Sequence, residues 1–213
     1  MRCLASVFRG KLCDVVLRNR KAVAYKKDAV LYDLGDKAQT FFFIRSGFVK
    51  IGAVTEDGRE VIYDVRKDGD VVGELSACKA PRRDRAVALE ETQVIPVPYS
   101  EIIESIRGNP GVSTFLVEVF CDALREAYSQ INALSEHHLL SRVTGVLRSL
   151  ALKMGVPAGD AVTIPIYLTQ EEISQMVGAR RERVSTALNL LRRRGIVQYS
   201  IRGQLIVRLA DQA

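Results

Sequence analysis

No stretch of this 213-residue chain approaches the roughly 18–20 uncharged apolar residues that a membrane-spanning helix needs. The N-terminal segment MRCLASVFRGKLCDVVLRNR interrupts each apolar patch with arginine or lysine, so it does not read as a secretory signal. The expected compartment is the cytoplasm, with no membrane partner. Cysteine is sparse: Cys3, Cys13, Cys78 and Cys121 are scattered without a C-x-x-C pair. Free thiols in a reduced compartment are expected, and the spacing lends no support to the alternative of an iron–sulfur cluster or redox sensor. A phosphate-binding Gly-Lys loop, a nucleophile elbow, an H-E-x-x-H motif and an acidic cluster with metal-ligand spacing are all missing. These absences argue against an enzyme, and neither catalytic nor metal-ligating residues are expected.

What is present is unevenly distributed. Apolar residues at 47% and charged residues at 26% are ordinary for a soluble chain, long enough for two modest domains. The formal charge is +6. Residues 1–138 hold 20 lysines and arginines against 20 aspartates and glutamates, whereas residues 139–213 hold 11 against 5. The whole excess therefore lies in the C-terminal third, and most of it in the stretch VGARRERVSTALNLLRRRG. A neutral body joined to a basic module points to a phosphate-bearing partner, with a merely solvated helix face as the alternative.

Hydrophobic period divides the chain. From about Lys21 to Pro98, runs rich in Val, Ile, Tyr and Phe (KAVAYKK, AVLYDL, TFFFIRSG, FVKIGAVTEDG, REVIYDVRKDG, DVVGEL, AVALEETQVIPV) are punctuated by Gly35, Gly47, Gly58 and Gly69. That spacing predicts an antiparallel sandwich or barrel. YSEIIESI reads as a short helix with Ser100 as N-cap, broken by Asn109-Pro110-Gly111. From about Val112 to Glu136 nothing interrupts a helix. Along it Val117, Phe120, Leu124, Ala127, Ile131, Leu134 and His138 alternate three and four residues apart, a heptad seam suited to a twin helix from a second chain.

LLSRVTGVLRSLALKMG predicts a helix ending at Gly155, and GVPAGDAVTIPIYL a loop with a short strand. TQEEISQMV opens with Thr169 and Glu172 in capping-box spacing. After the turn at GA comes a second helix, RRERVSTALNLLRRRG, and then a hairpin turning near Arg202-Gly203. Helix, turn, helix, hairpin is the order of a winged helix-turn-helix.

On a helical projection of the arginine-rich segment, Val184, Leu188 and Leu191 fall together, and Glu182, Ser185, Thr186 and Asn189 face the other way. Arg181 flanks that outer face. Arginine can donate to guanine O6 and N7, and glutamate can accept from cytosine N4. Glu182 reads as a base reader or, alternatively, as half of an intrahelical ion pair. Arg180 and Arg183 suit phosphate contacts, as do backbone N–H groups at Thr169 and Gln170.

LTQEEISQMVGARRERVSTALNLLRRRGIV closely resembles the helix-turn-helix signature of the Crp/Fnr family, the relatives of the cyclic-AMP receptor protein. FFFIRSGFVKI, GDVVGELS and RAVALEETQVIPV resemble that family's β-roll, so the likeness runs over nearly the whole chain. It implies an α+β fold in three parts: an effector-sensing antiparallel β-roll of the jelly-roll-like cyclic-nucleotide-binding type (1–110), a dimerisation helix (111–138) and a winged helix-turn-helix (139–213). It also implies a homodimeric transcription factor on a palindromic site in double-stranded DNA, with RNA polymerase as a further partner. In the cyclic-AMP-responsive members an arginine, a glutamate and a second arginine read bases. The first two fall on Arg181 and Glu182, whereas the third falls on Thr186, a departure; Ser185 matches a serine of the oxygen-sensing branch.

In the family's nucleotide binders Gly-Glu-Leu and a following Arg-Ser-Ala cradle ribose and phosphate. Gly73, Glu74 and Leu75 match the first. The second reads APRRDRAVAL: counting forward from Gly73 puts Asp84 at the arginine position, and counting backward from Val94 puts Arg82 there. The polar pair that would meet adenine is replaced by Ala127 and Tyr128. Arg82, Arg83 and Arg85 either bind an anion or form a solvated loop. No cofactor is required; a cyclic nucleotide or another small anion is the candidate effector, with Tyr128 completing its candidate contacts. A regulator bound constitutively and controlled by its abundance is the alternative.

Overall fold

The computed structural model describes residues 16–75 and 80–209; Cys3, Cys13 and Cys78 lie outside them, and Cys121 is a free, exposed thiol. Among the described residues no group of His, Cys, Asp and Glu is placed to hold a metal, and no helix is long and apolar enough to cross a membrane. The described residues divide into two units, 16–57 with 63–126 and 58–62 with 127–209.

The β-branched and aromatic runs form eight short strands: β1 (Val23–Tyr25), β2 (Val30–Tyr32), β3 (Thr40–Ser46), β4 (Val49–Val54), β5 (Glu60–Arg66), β6 (Val71–Val72), β7 (Arg85–Ala88) and β8 (Thr92–Pro98). They make two four-stranded sheets, ordered β1-β8-β3-β6 and β2-β7-β4-β5. AVALEETQVIPV, expected as one strand, is two, because the chain reverses through Leu89–Glu91 to carry β7 into one sheet and β8 into the other. The FFFI run of β3 shows why neither face of its sheet is wet. Side chains alternate across a strand, so Phe41 and Phe43 join Val71, Ile95, Val97, Ile102 and Leu116, while Phe42 and Ile44 join Leu31, Tyr32, Val49 and Ala86.

Helix α1 (Tyr99–Gly108) leaves β8 without a gap. Its N-cap is Pro98 rather than Ser100, because Pro98 is still paired with Thr40 and its extended backbone turns straight into the helix. Asn109 separates it from α2 (Pro110–Ser135) and caps the new helix by accepting from Gly111 N–H at 2.9 Å. Pro110 suits a first helical position, whose N–H has no partner to lose.

The second unit holds α3 (Leu139–Met154), a hairpin of β9 (Val156–Ala158) and β10 (Ala161–Thr163), α4 (Gln170–Val177), α5 (Arg181–Arg193), and a second hairpin of β11 (Val197–Tyr199) and β12 (Leu205–Val207). The loop expected after α3 thus carries two strands, and all four join in the order β11-β12-β10-β9. Gly155 ends α3 for want of space rather than for a left-handed backbone. Its φ is −68°, but a Cβ there would lie 2.0 Å from Val162 Cγ1 and 2.3 Å from the Ala151 carbonyl. The last turns of α2 pack within this unit: Gln130 Nε2 donates to the Met176 carbonyl at 2.6 Å, and Gly145 faces Ala133.

Candidate functional site

The capping box sets the start of α4. Glu172 N–H donates to Thr169 Oγ1 at 3.1 Å, and the Glu172 carboxylate accepts from Thr169 N–H and hydroxyl, each at 2.8 Å. That arrangement occupies the Thr169 N–H, so of the pair expected at phosphate only Gln170 keeps its backbone donor. Gly178 closes α4 with φ +62°, a left-handed conformation that costs glycine little. The turn from Gly178 to Arg180 then admits α5, which buries Val184, Ala187, Leu188 and Leu191 and exposes Arg181, Glu182, Arg183, Thr186 and Asn189. Ser185 is half-buried. The Thr186 hydroxyl donates back to the Glu182 carbonyl at 3.0 Å, holding it close to the helix.

Among the described residues no ion pair involves Glu182, so the intrahelical pairing open from sequence is not formed. A carboxylate with no partner thus stands among exposed arginines at the helix N-terminus, where the positive end of the helix dipole favours it. Arg180 is the N-cap residue without a side-chain cap. At the other end, the Arg192 guanidinium lies 5.4 Å over the Tyr199 ring and ties α5 to β11.

The candidate effector residues form a buried charge cluster. Arg82 is 4% exposed and lies against Gly73: Nη1 donates to the Gly73 carbonyl at 3.0 Å and Nη2 to the Thr40 carbonyl at 2.6 Å. Its guanidinium stacks 3.9 Å over the Tyr32 ring, and the Tyr32 hydroxyl donates to Asp84 Oδ2 at 2.9 Å. Arg82, the residue reached by counting backward, is the one that lies beside Gly73. Glu74 is buried 3.6 Å from Arg66, whose other partner is Asp64 at 2.6 Å. Leu75 and Arg83 are exposed, Arg85 lies 3.6 Å from Asp33, and Tyr128 is exposed. The three arginines of the loop therefore have three different environments.

Tyr32, Asp64 and Arg66 were not expected in the cluster. A partial signal existed for two of them: Asp64 and Arg66 share one face of β5, placing a carboxylate and a guanidinium side by side in a strand. Among the described residues three carboxyls (Asp64, Glu74, Asp84) meet two guanidinia (Arg66, Arg82). Burial pushes the Glu74 and Asp84 carboxyls above their ordinary range, against the lowering pull of Arg66 on Glu74 and of Tyr32 and Arg82 on Asp84. Burial raises the Tyr32 phenol as well, with Asp84 adding to it. Burial opposes the Arg66 charge, but Asp64, Glu74, Asp70 and Glu126 together outweigh it and hold the guanidinium charged.

A carboxyl whose folded pKa is raised binds its proton more tightly in the folded chain, so its contribution is full below the ordinary value near 3.8 and is lost as pH rises through the raised one. Asp84→Asn keeps an acceptor for Tyr32 and removes the buried charge. We expect a higher Tm than wild type at pH 7, with the gap closing on acidification toward pH 4. Thermal unfolding across that range checks it; a gap independent of pH overturns it.

On α2 only Val112 and Leu116 are buried. Val117 (61%), Phe120 (37%), Leu124 (51%), Ile131 (57%) and Leu134 (39%) are exposed, as is Ala127, so the heptad seam is an apolar stripe that the other described residues leave uncovered.

Residues 22–109 match the family described as the cyclic nucleotide-binding domain, and residues 141–212 match the Crp-like helix-turn-helix domain. The chain is 29% identical over 206 residues to the CRP-like cAMP-activated global transcriptional regulator of Mycobacterium tuberculosis, spanning 95% of this chain and 92% of the relative. It is 26% identical over 203 residues to the global nitrogen regulator of Nostoc sp., spanning 92% and 88%. The solved structure of FixK2 from Bradyrhizobium japonicum shares the fold with a TM-score of 0.77 at 24% identity, over 89% of this chain and 92% of that one.

Proposed function

The chain belongs to the Crp/Fnr family of transcriptional regulators, and from that premise we propose that it acts as a homodimer reading a palindromic duplex through α5. Glu182 carries this reading. A carboxylate exposed on a DNA-facing arginine helix repels phosphate, so its use is to accept from a base edge, cytosine N4 being the fitting donor. Arg181 beside it donates to guanine, with Ser185, Thr186 and Asn189 along the same face. Arg180, Arg183 and the Gln170 N–H hold phosphates and set the register. The heptad stripe of α2, within 111–138, pairs two chains, and half-sites lie about one helical turn apart. RNA polymerase is the further partner this reading implies, in the cytoplasm.

The β-roll residues do not fit a cyclic phosphate. Both terminal nitrogens of Arg82 are already bonded to backbone carbonyls, and among the described residues three carboxyl groups stand in the cluster around them. An incoming phosphate would have to break two hydrogen bonds and approach three carboxylates. This supports DNA binding that needs no cyclic nucleotide, with control by abundance or by a different signal at the β-roll.

The test is selection from a randomised duplex pool, with and without cyclic AMP. The same palindrome in both samples is expected. A palindrome retained only with cyclic AMP overturns the nucleotide-independent reading, and no enrichment in either overturns sequence reading by α5. With the selected site in hand, Arg181→Ala relaxes specificity at one base position at about 1–3 kcal/mol. Arg193→Ala weakens all duplexes alike and flattens the salt dependence. Equal loss on specific and random DNA for Arg181→Ala reduces that arginine to a phosphate contact.

A further inference from the structure

The arginines that end α5 face different ways. Arg192 lies over Tyr199, whereas Arg194, the C-cap residue, lines a groove of about 490 Å³ between the last turns of α2, α3 and the end of α5. The two longer walls run antiparallel: Ser129 Oγ lies 3.4 Å from Ser149 Oγ, and Gly145 faces Ala133. Arg148 therefore stands toward one end of the groove and Ser141, near Glu136, toward the other, roughly 10 Å away given the rise of an α-helix. Leu191, 1% exposed, and Ala133 give the groove an apolar floor. Its rim carries both signs of charge: guanidinia from two helices, Arg148 and Arg194, and, among the described residues that line it, the single carboxylate of Glu136. Glu136 and Arg194 make no ion pair with each other or with any other described residue. Opposite charges that share a groove without pairing leave room between them for a ligand.

We propose that this groove binds a small phosphate monoester that also carries an amine, its phosphate against Arg148 and Arg194 and its ammonium toward Glu136. A phosphate monoester has close to two negative charges near neutrality and three acceptor oxygens, which matches two guanidinia. A carboxylate, with one charge, leaves one of them uncompensated. Guanidinia also grip phosphate through paired N–H donors. The groove's volume lies within the range of small-molecule sites and exceeds what a bare phosphate fills, so the organic part of the ester rests on Leu191 and Ala133. Bound there, the ester holds α5 against the last turns of α2, and a reading helix ordered in advance meets its site at a smaller entropic cost. That consequence for DNA rests on the DNA-reading function above.

O-Phosphoethanolamine is the probe, with ethyl phosphate and ethanolamine as its two halves, titrated calorimetrically into the full-length protein near neutral pH in a phosphate-free buffer. One probe per chain is expected, with ethyl phosphate about threefold weaker, in line with the loss of an exposed ion pair, and no heat from ethanolamine. Arg148→Gln and Arg194→Gln are each expected to weaken the probe about tenfold, and Glu136→Gln to bring it to the level of ethyl phosphate. Ser141→Trp, which fills the groove from its exposed rim without changing its charge, is expected to exclude the probe. Arg107→Gln, exposed on α1, is expected to bind as wild type does. On the selected palindrome, saturating probe is expected to raise the affinity of wild type about threefold and to leave Ser141→Trp unchanged.

No saturable binding at millimolar probe overturns the proposal. Equal weakening by Arg107→Gln and Arg194→Gln reduces the binding to net charge and also overturns it. So does binding untouched by Arg148→Gln, Arg194→Gln and Ser141→Trp, which places the site elsewhere. Probe binding as expected with no effect on the palindrome overturns the consequence for DNA and leaves the ligand site standing. A wild type that binds the probe but selects no sequence overturns the DNA-reading premise alone.

Discussion

Leu124→Asp is expected to turn the protein into a monomer and to lower its affinity for the palindromic duplex by at least about a hundredfold. The seam residues of α2 are 37–61% exposed in the isolated chain, and Leu124 lies at their centre. Burying one leucine contributes about 1.5–3 kcal/mol, and two-fold symmetry counts every seam position twice. An aspartate there both forfeits that gain and brings two like charges together in an apolar seam. The DNA effect is larger than the pairing effect alone. In a dimer the second half-site is met at an effective concentration set by the first, a gain of about 10²–10⁴ that a monomer lacks. Sedimentation and anisotropy on the same samples check both parts. A variant that stays dimeric with wild-type affinity moves the interface elsewhere. Because Leu124 contributes nothing to the core of its own chain, its Tm as a monomer reports folding independently.

Arg82→Ala is expected to have the largest effect on stability. Truncating this buried guanidinium forfeits two charge-assisted hydrogen bonds at about 1.5–3 kcal/mol each, and for a chain of this length each kcal/mol is about 2–4 °C of Tm. Here the loss has identifiable components: the two hydrogen bonds from Arg82 to the Gly73 and Thr40 carbonyls, the cation over the face of Tyr32, and the pull of the guanidinium on Asp84, which keeps its bond from the Tyr32 hydroxyl. Arg82→Lys keeps the charge but cannot span two carbonyls and stack at once, so it falls between. Adding Asp84→Asn to Arg82→Ala restores part of the loss, since the carboxylate left without its counter-ion is then gone. A double-mutant cycle in thermal unfolding measures that coupling. Additive effects would show that the two groups do not sense each other. Unchanged stability of Arg82→Ala would place the guanidinium outside the core altogether.

The features legible in the sequence were those encoded by spacing along one element. The alternation of threes and fours along α2, the Thr169–Glu172 box and the inward and outward faces of α5 each depend on neighbours within a few residues, and each is found where the spacing puts it. The β-roll cluster was only half legible. Gly73, Glu74 and Arg82 stood out, but the partners that decide their chemistry come from far away: Tyr32 meets Asp84 across 52 residues, and Arg82 reaches Thr40 across 42. Pairings of that kind are set by sheet order, which local pattern does not contain. Smaller misreadings have the same origin. The alternating pattern runs on through Leu89 and hides the reversal between β7 and β8. The N-cap fell at Pro98 because a strand pairing, rather than a side-chain acceptor, decides where the extended chain stops.

The bond from Gln130 to the Met176 carbonyl, together with Gly145 set against Ala133, bears on how such proteins can be recombined. Ile131 and Leu134 on the outer side of α2 are available to a twin chain, while Gln130 and Ala133, in the same two turns, serve the helix-turn-helix. One short segment thus carries both an exposed apolar face and contacts to the helix-turn-helix. A chimera that exchanges DNA-reading modules by cutting at His138 would graft a helix-turn-helix onto turns shaped for another. The natural seam for exchange lies upstream, before Ala127, so a change of DNA-reading module must carry half of the exposed apolar stripe with it.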